Sequence, residues 1–296
     1  MTQAPRERIQ KLLAKAGYGS RREIESWIDA GRISVNGKQA QPGEQVNSED
    51  EICIDNKAVS IRLAESTENQ TLIYHKPEGE VCTRKDEEGR STIFDRMPKL
   101  RVGRWINVGR LDINTSGLLI MTTDGELAHK LMHPSSEIER EYAVRVFGSP
   151  DKASLKQLTH GIELEDGTAK FASVSAGEGS GANKWFHVVL KEGRNREVRR
   201  LWEAVGCTVT RLMRVRYGEV SLPKSIRPGR WEYLTEAQLK PLYESVGLTL
   251  QVEKKLEKKL EKKLEHSNNN KMPPRKGFVK KKAAKPSSSY KGRRGR

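Results

Sequence analysis

Apolar residues at Ile9, Leu12, Leu13 and Ala16 recur with helical spacing and predict a short amphipathic helix that Gly17 stops. Ser20-Arg21-Arg22-Glu23 has the spacing of a capping box, and Ile24, Trp27 and Ile28 continue as one face of a second helix ending at Gly31. The period then changes. Residues 32–35 read as a strand, Asn36-Gly37 as a two-residue turn, and Ile52-Cys53-Ile54 as a later strand between acidic neighbours. Residues 5–64 are therefore expected to form a helix–helix–hairpin domain, and the polar stretch 65–71, with nothing to bury, a linker.

Across 72–250 the pattern is of short apolar runs, at 72–74, 118–121, 142–147, 186–190 and 209–215, with fewer helical stretches between them. This predicts an α+β domain with a sheet-rich core. Two helices stand out: 123–132, opened by a capping box at Thr123-Asp124-Gly125-Glu126, and 196–205, with Val198, Leu201, Trp202 and Val205 on one face. In 251–296 Glu-Lys-Lys-Leu repeats three times and gives way to an aperiodic Lys, Arg, Gly, Pro and Ser run, a low-complexity tail expected to stay unstructured.

Charge changes the picture in one respect. The chain carries +16, but 251–296 holds 17 Lys+Arg against 4 Glu, net +13, which leaves +3 for 1–250. The tail therefore accounts for most of the basicity and is expected to add salt-sensitive, nonspecific RNA affinity, while any RNA-binding claim for the body rests on where its cations cluster. Cys53, Cys82 and Cys207 are an odd count without a CxxC pair, so neither a disulfide framework nor a zinc site is expected. The first ten residues have no apolar signal region and no run is long enough to span a membrane, which together point to the cytoplasm. None of the six histidines shows metal-ligand spacing.

Lys11, Lys15, Arg21, Arg22, Arg32 and Lys38 gather on the two short helices and the turn, apart from the acids at 44–51. Such a surface suits phosphate oxygens better than base edges. The segments Arg8-Ile9-Gln10-Lys11-Leu12-Leu13-Ala14, Gly19-Ser20-Arg21-Arg22-Glu23 and Gly31-Arg32-Ile33-Ser34-Val35-Asn36-Gly37 resemble the S4 domain, a small RNA-binding module. Further on, Val108-Gly109-Arg110-Leu111-Asp112-Ile113-Asn114-Thr115-Ser116-Gly117 places turn-forming residues between apolar runs. On local pattern alone Asp112 either caps this turn or serves as a reactive carboxylate, with Arg110 on the same strand face keeping it ionised. Tyr142 is, by its pattern, either a core residue with its hydroxyl satisfied at an edge or a platform for a base.

Gly109-Arg110-Leu111-Asp112 followed by Thr115 and Gly117-Leu118-Leu119 resembles the signature of the pseudouridine synthases, and Lys76-Pro77-Glu78-Gly79, Arg140-Glu141-Tyr142 and Gly193-Arg194-Asn195-Arg196-Glu197-Val198-Arg199-Arg200 resemble that family's other motifs in order. The resemblance implies an S4 domain followed by a mixed, mostly antiparallel catalytic sheet at 72–250. It implies Asp112 as the catalytic carboxylate, Tyr142 stacking on the target, and Arg199 paired with Asp112. Arg110, Arg194, Arg196 and Arg200, extended by Arg214 and Arg216 two residues apart on the next strand, become RNA contacts. So many cations at a helix start call for a compensating anion, either phosphate or a carboxylate. The implied reaction, isomerisation of uridine in ribosomal RNA and within it the 23S RNA of the large subunit, needs no cofactor and no metal. A monomer is expected. Asp112 would attack C1′ or C6, or remove a C2′ proton. The alternative is a non-catalytic RNA-binding or ribosome-assembly protein, for which the S4-like unit and the tail would suffice.

Overall fold

The computed structural model describes residues 6–61, 67–177 and 183–250; the tail and part of the expected linker lie outside the described residues. A two-residue strand β1 (Glu7–Arg8) leads into α1 (Ile9–Ala16), which ends where Gly17 takes a φ of 94°, a conformation glycine adopts without a Cβ penalty. α2 (Arg21–Asp29) starts on Ser20, whose hydroxyl accepts the Glu23 N–H while the Glu23 carboxylate accepts the Ser20 N–H, so both halves of the capping box form. β2 (Ile33–Val35) turns through Asn36-Gly37, both at positive φ, into β3 (Lys38–Gln39). β4 (Gln45–Val46) pairs with β1, and β5 (Ile52–Ile54) pairs with β2 and, through a glycine-free turn at Asp55-Asn56, with β6 (Lys57–Ala58). The apolar faces of both helices and of β2 and β5 close into one small core.

The following elements are β7 (Thr71–Lys76), β8 (Ile106–Val108), β9 (Ser116–Thr122), α3 (Gly125–Met132), β10 (Arg140–Phe147), α4 (Lys152–His160), β11 (Ile162–Leu164), β12 (Gly167–Ala169), β13 (Ser173–Ala176), β14 (Asn183–Leu190), α5 (Glu197–Ala204), β15 (Thr208–Tyr217), β16 (Val220–Ser221), β17 (Trp231–Tyr233) and α6 (Glu236–Glu244). One sheet runs β13-β14-β10-β15-β9-β7-β17, with β8 also on β9 and β16 on β15. β9 and β15 are parallel and the other neighbours antiparallel, as a mixed, mostly antiparallel sheet requires. β7 and β9 are buried on both faces, Ile73, Leu118 and Ile120 in one core and Leu72, Tyr74, Leu119 and Met121 in another. Their sequences therefore read as continuous apolar runs, whereas β10 alternates because only Tyr142, Val144 and Val146 face a core.

Two boundaries differ from expectation. α3 is capped by Asp124, whose carboxylate accepts the Glu126 and Leu127 N–H groups, because Thr123 is held in the strand register by Gln70. Segment 109–115 is not a strand end but a loop between β8 and β9, so Arg110 and Asp112 do not share a strand face. The N-terminal helix–hairpin unit touches the segment before β8 at the end of α1, where the Gly103 N–H donates to the Ala16 carbonyl at 3.3 Å. A Cβ on Gly17 would lie 2.6 Å from the Gly103 carbonyl oxygen, so the approach itself demands glycine.

Candidate active site

The sheet register places Lys76, Gly117, Arg214, Tyr142 and Val188 in one lateral row across β7, β9, β15, β10 and β14. The approach of β9 to β15 is tight: a Cβ on Gly117, at φ 109°, would meet the Arg214 backbone oxygen at 2.3 Å. Beside this row opens a cleft of about 480 Å3, whose lining includes Arg110, Asp112, Thr115, Tyr142, Arg196 and Glu197. That volume is in the range of a small-molecule site.

The loop carrying Asp112 is tied down carbonyl by carbonyl. The Cys82 thiol lies 3.3 Å from the Leu111 carbonyl oxygen, the Lys76 ammonium donates to the carbonyls of Asp112 (3.2 Å) and Thr115 (2.9 Å), the Gly79 N–H donates to Ile113, and the Arg199 guanidinium donates to Asn114 at 2.9 Å. Five consecutive carbonyls thus have donors, and the Thr115 N–H closes the turn on the Asp112 carbonyl. The Asp112 side chain is not the cap. Half-buried at the cleft wall, it makes no hydrogen bond or ion pair among the described residues. A loop whose backbone is fixed while its one carboxylate is unengaged is preorganised for work on a ligand.

Arg199 is nearly buried, and its donors go to the carbonyls of Val209 and Asn114. The expected ion pair with Asp112 is not formed at contact distance; the two groups attract through space, while burial and then the neighbouring Arg196 hold the guanidinium below its usual pKa range. Arg199 therefore acts on the Asp112 loop through the Asn114 carbonyl. Tyr142 is buried, packed among Val144, Val188 and Leu190, and lines the cleft beside Asp112.

The remaining cations sort differently from expectation. Arg194 pairs with Glu192 and donates to the carbonyls of Asp166, Gly167 and Thr168, and Arg200 forms a two-pronged pair with Asp166. The anion that the crowded helix start requires is thus supplied internally for these two. Arg214 is 2% exposed and donates to the Leu118 carbonyl, so it is a framework residue at the cleft floor and not part of a surface. Arg216 does not extend it. A bulge at Val215 sets Arg214 opposite Tyr142 and Arg216 opposite Glu141, which turns Arg216 to the other sheet face and into ion pairs with Glu141 and Glu139. Arg110 and Arg196 are exposed on the cleft without partners among the described residues. In the N-terminal domain Lys15, Arg21, Arg22 and Lys38 are likewise exposed and unpaired, whereas Lys11 pairs with Glu7 and Arg32 with Asp55.

Four site features lay outside the sequence reading: the roles of Lys76, Cys82 and Arg214, and the buried Glu197. Lys76 ends a strand in which all six residues are buried, and a cation closing an apolar run was the signal available for it. Glu197 accepts the Arg194 N–H with one oxygen, and its other oxygen is enclosed without a partner. Burial, reinforced by the neighbouring Glu192 carboxylate, raises its pKa from 4.5 to about 7. The folded state thus holds a proton here that the unfolded chain releases, so this group's contribution to stability falls as pH rises from about 4.5 to about 7. Glu197→Gln, which removes the titration, is expected to be near neutral at pH 5 and to stabilise the protein by about 1–3 kcal/mol at pH 8, read as melting temperature against pH. A pH-independent difference between the two proteins would contradict this assignment.

Residues 70–204 match the RNA pseudouridylate synthase family and residues 7–52 the S4 domain. The chain is 56% identical over 252 residues to a ribosomal large subunit pseudouridine synthase B of Shigella flexneri, covering 84% of this chain and 87% of that protein. The Yersinia pestis protein of the same description is 55% identical, covering 84% and 79%. A crystal structure of a pseudouridylate synthase superposes with a TM-score of 0.56 at 25% identity, covering 79% of this chain and 99% of that one. These likenesses extend over both domains, and with them the non-catalytic alternative falls away: the chain belongs to the RNA pseudouridylate synthase family and is an isomerase that converts uridine in RNA to pseudouridine.

Proposed function

We propose that this isomerase acts on a uridine of large-subunit ribosomal RNA, with Asp112 as the carboxylate that opens the glycosidic bond. The observation that carries the reading is the unengaged Asp112 side chain on a loop whose five consecutive carbonyls are all held. The relatives named above are described as large-subunit enzymes, which favours 23S RNA as the substrate.

The reaction breaks C1′–N1, turns the uracil and joins C1′ to C5; the C5 proton leaves and N1 gains one, with no redox change. A uridine in folded RNA is extruded from its stack before the sugar can be reached, which suits a cleft edged by Arg110 and Arg196. Attack by Asp112 on C1′ or C6, and removal of a C2′ proton, all require an ionised oxygen held at a fixed place beside the ribose. Tyr142 supplies a flat wall for the base and a hydroxyl beside the C5 proton. Arg199 is a positioning residue, through Asn114. The exposed cations Lys15, Arg21, Arg22 and Lys38 position the RNA backbone. The protein works as a monomer in the cytoplasm: the large exposed apolar side chains among the described residues, Tyr18, Met132, Phe147 and Tyr233, sit on separate segments, and no described helix is long and apolar enough to cross a membrane.

Pseudouridine mapping of ribosomal RNA from cells lacking the chain tests the substrate. Loss of a 23S position that the wild-type gene restores is the expected result; a loss confined to small-subunit RNA would overturn the proposal.

A further inference from the structure

Several arginines of the domain face a carboxylate: Arg194, Arg200 and Arg216, and also Arg96, which donates to the buried Glu80. One group departs from this. Where the end of α1 meets the loop before β8, Arg84 donates to the carbonyl of Trp105, the residue after Arg104, and Arg104 lies close enough to both Arg84 and Arg21 for like charges to repel. The one carboxylate that registers on them, Glu23, already accepts the Ser20 N–H in the α2 cap. No ion pair to any of the three arginines forms among the described residues.

We propose that Arg84 and Arg104, joined by Arg21, form a phosphodiester-binding site at the seam between the S4 domain and the catalytic domain. The proposal rests on the reading of this chain as an enzyme of folded RNA and adds a path for that RNA across the seam.

Arg84 is fixed in the posture that phosphate recognition favours. Its guanidinium lies 4.4 Å over the Phe94 ring and donates to the Trp105 carbonyl, while the side chain remains exposed. Stacking on one face leaves the planar fork oriented with donors to spare. Arg104 is half-buried, and its Nε is enclosed without an acceptor. Gathered like charges and an orphaned donor are each unfavourable, and a doubly coordinating anion relieves both. A ribose-phosphate backbone presents such an anion in every nucleotide, and the established activity brings one to this protein. The seam is also near the chemistry. Arg84 lies two residues from Cys82, at most about 7 Å along the chain, and the Cys82 thiol touches Leu111 beside Asp112. A phosphate held at the seam therefore fixes the distance between the S4 domain's grip and the target nucleotide.

The test compares wild type with Arg84→Gln/Arg104→Gln in binding to an RNA hairpin of scrambled sequence across a KCl series, and in steady-state pseudouridine formation on 23S RNA. Affinity is expected to fall about ten- to a hundredfold, equally for scrambled and target hairpins, with the slope of log K against log salt reduced by about one to two. KM should rise while kcat stays within about twofold. Arg84→Lys/Arg104→Lys should keep the salt slope. On the unaltered protein, phenylglyoxal labelling of Arg84 is expected to be blocked by the hairpin. An unchanged salt slope, or labelling indifferent to RNA, would overturn the proposal and show that the arginines serve only to join the domains. Absence of any product from the wild-type chain would instead condemn the functional reading, so the two failures are separable.

Discussion

Asp112→Asn is expected to reduce pseudouridine formation by about 10^4-fold or more, equivalent to about 5.5 kcal/mol of transition-state stabilisation. The amide is isosteric with the carboxylate but is neither a base nor a nucleophile. Little else should change, because the loop is held through its backbone by Lys76, Cys82, Gly79 and Arg199, none of which contacts the Asp112 side chain. Stability should stay within about 0.5 kcal/mol of wild type. RNA affinity should be retained or rise slightly, since a negative charge leaves a cleft edged by Arg110 and Arg196. Release of tritium from RNA labelled at uracil C5 reads the chemistry, and a filter-binding isotherm reads the affinity. Turnover within about tenfold of wild type would remove Asp112 from the reaction.

Much of this was legible beforehand because the informative residues act locally. The Ser20–Glu23 box, the Gly17 stop and the Asn36-Gly37 turn are determined by neighbours three or four positions away, and each formed as expected. What escaped depends on pairing partners far along the chain. The bulge at Val215 arises only where β15 meets β10, and it separates Arg214 from Arg216 although strict alternation puts them together. Asp166, which neutralises Arg200, lies 34 residues away in sequence, and no local pattern announces it. The Asp112–Arg199 relation was misjudged for a similar reason. The arginine reaches the loop at the Asn114 carbonyl and steadies the carboxylate from behind, a contact invisible to side-chain pattern.

The same reasoning makes Lys76 the point whose loss costs the loop most, although it touches no substrate-facing atom. It is fully buried and its ammonium donates to the carbonyls of Pro77, Asp112 and Thr115, so three carbonyls from two backbone segments converge on one charge. Burial lowers its pKa, but the charged form remains the one able to donate to three acceptors at once. Lys76→Met fills a similar volume and leaves those acceptors dry. Losing charge-assisted bonds is partly offset by no longer burying a cation, and a net destabilisation of about 2–4 kcal/mol follows. Turnover should fall further than stability explains, by about 10^2-fold at a temperature where the variant is fully folded, because the Asp112 carbonyl is released and the carboxylate drifts from its fixed place. Chemical denaturation gives the first quantity, single-turnover kinetics on saturating RNA the second. Full activity in a destabilised Lys76→Met protein would mean that the loop holds its shape through Cys82, Gly79 and Arg199 alone.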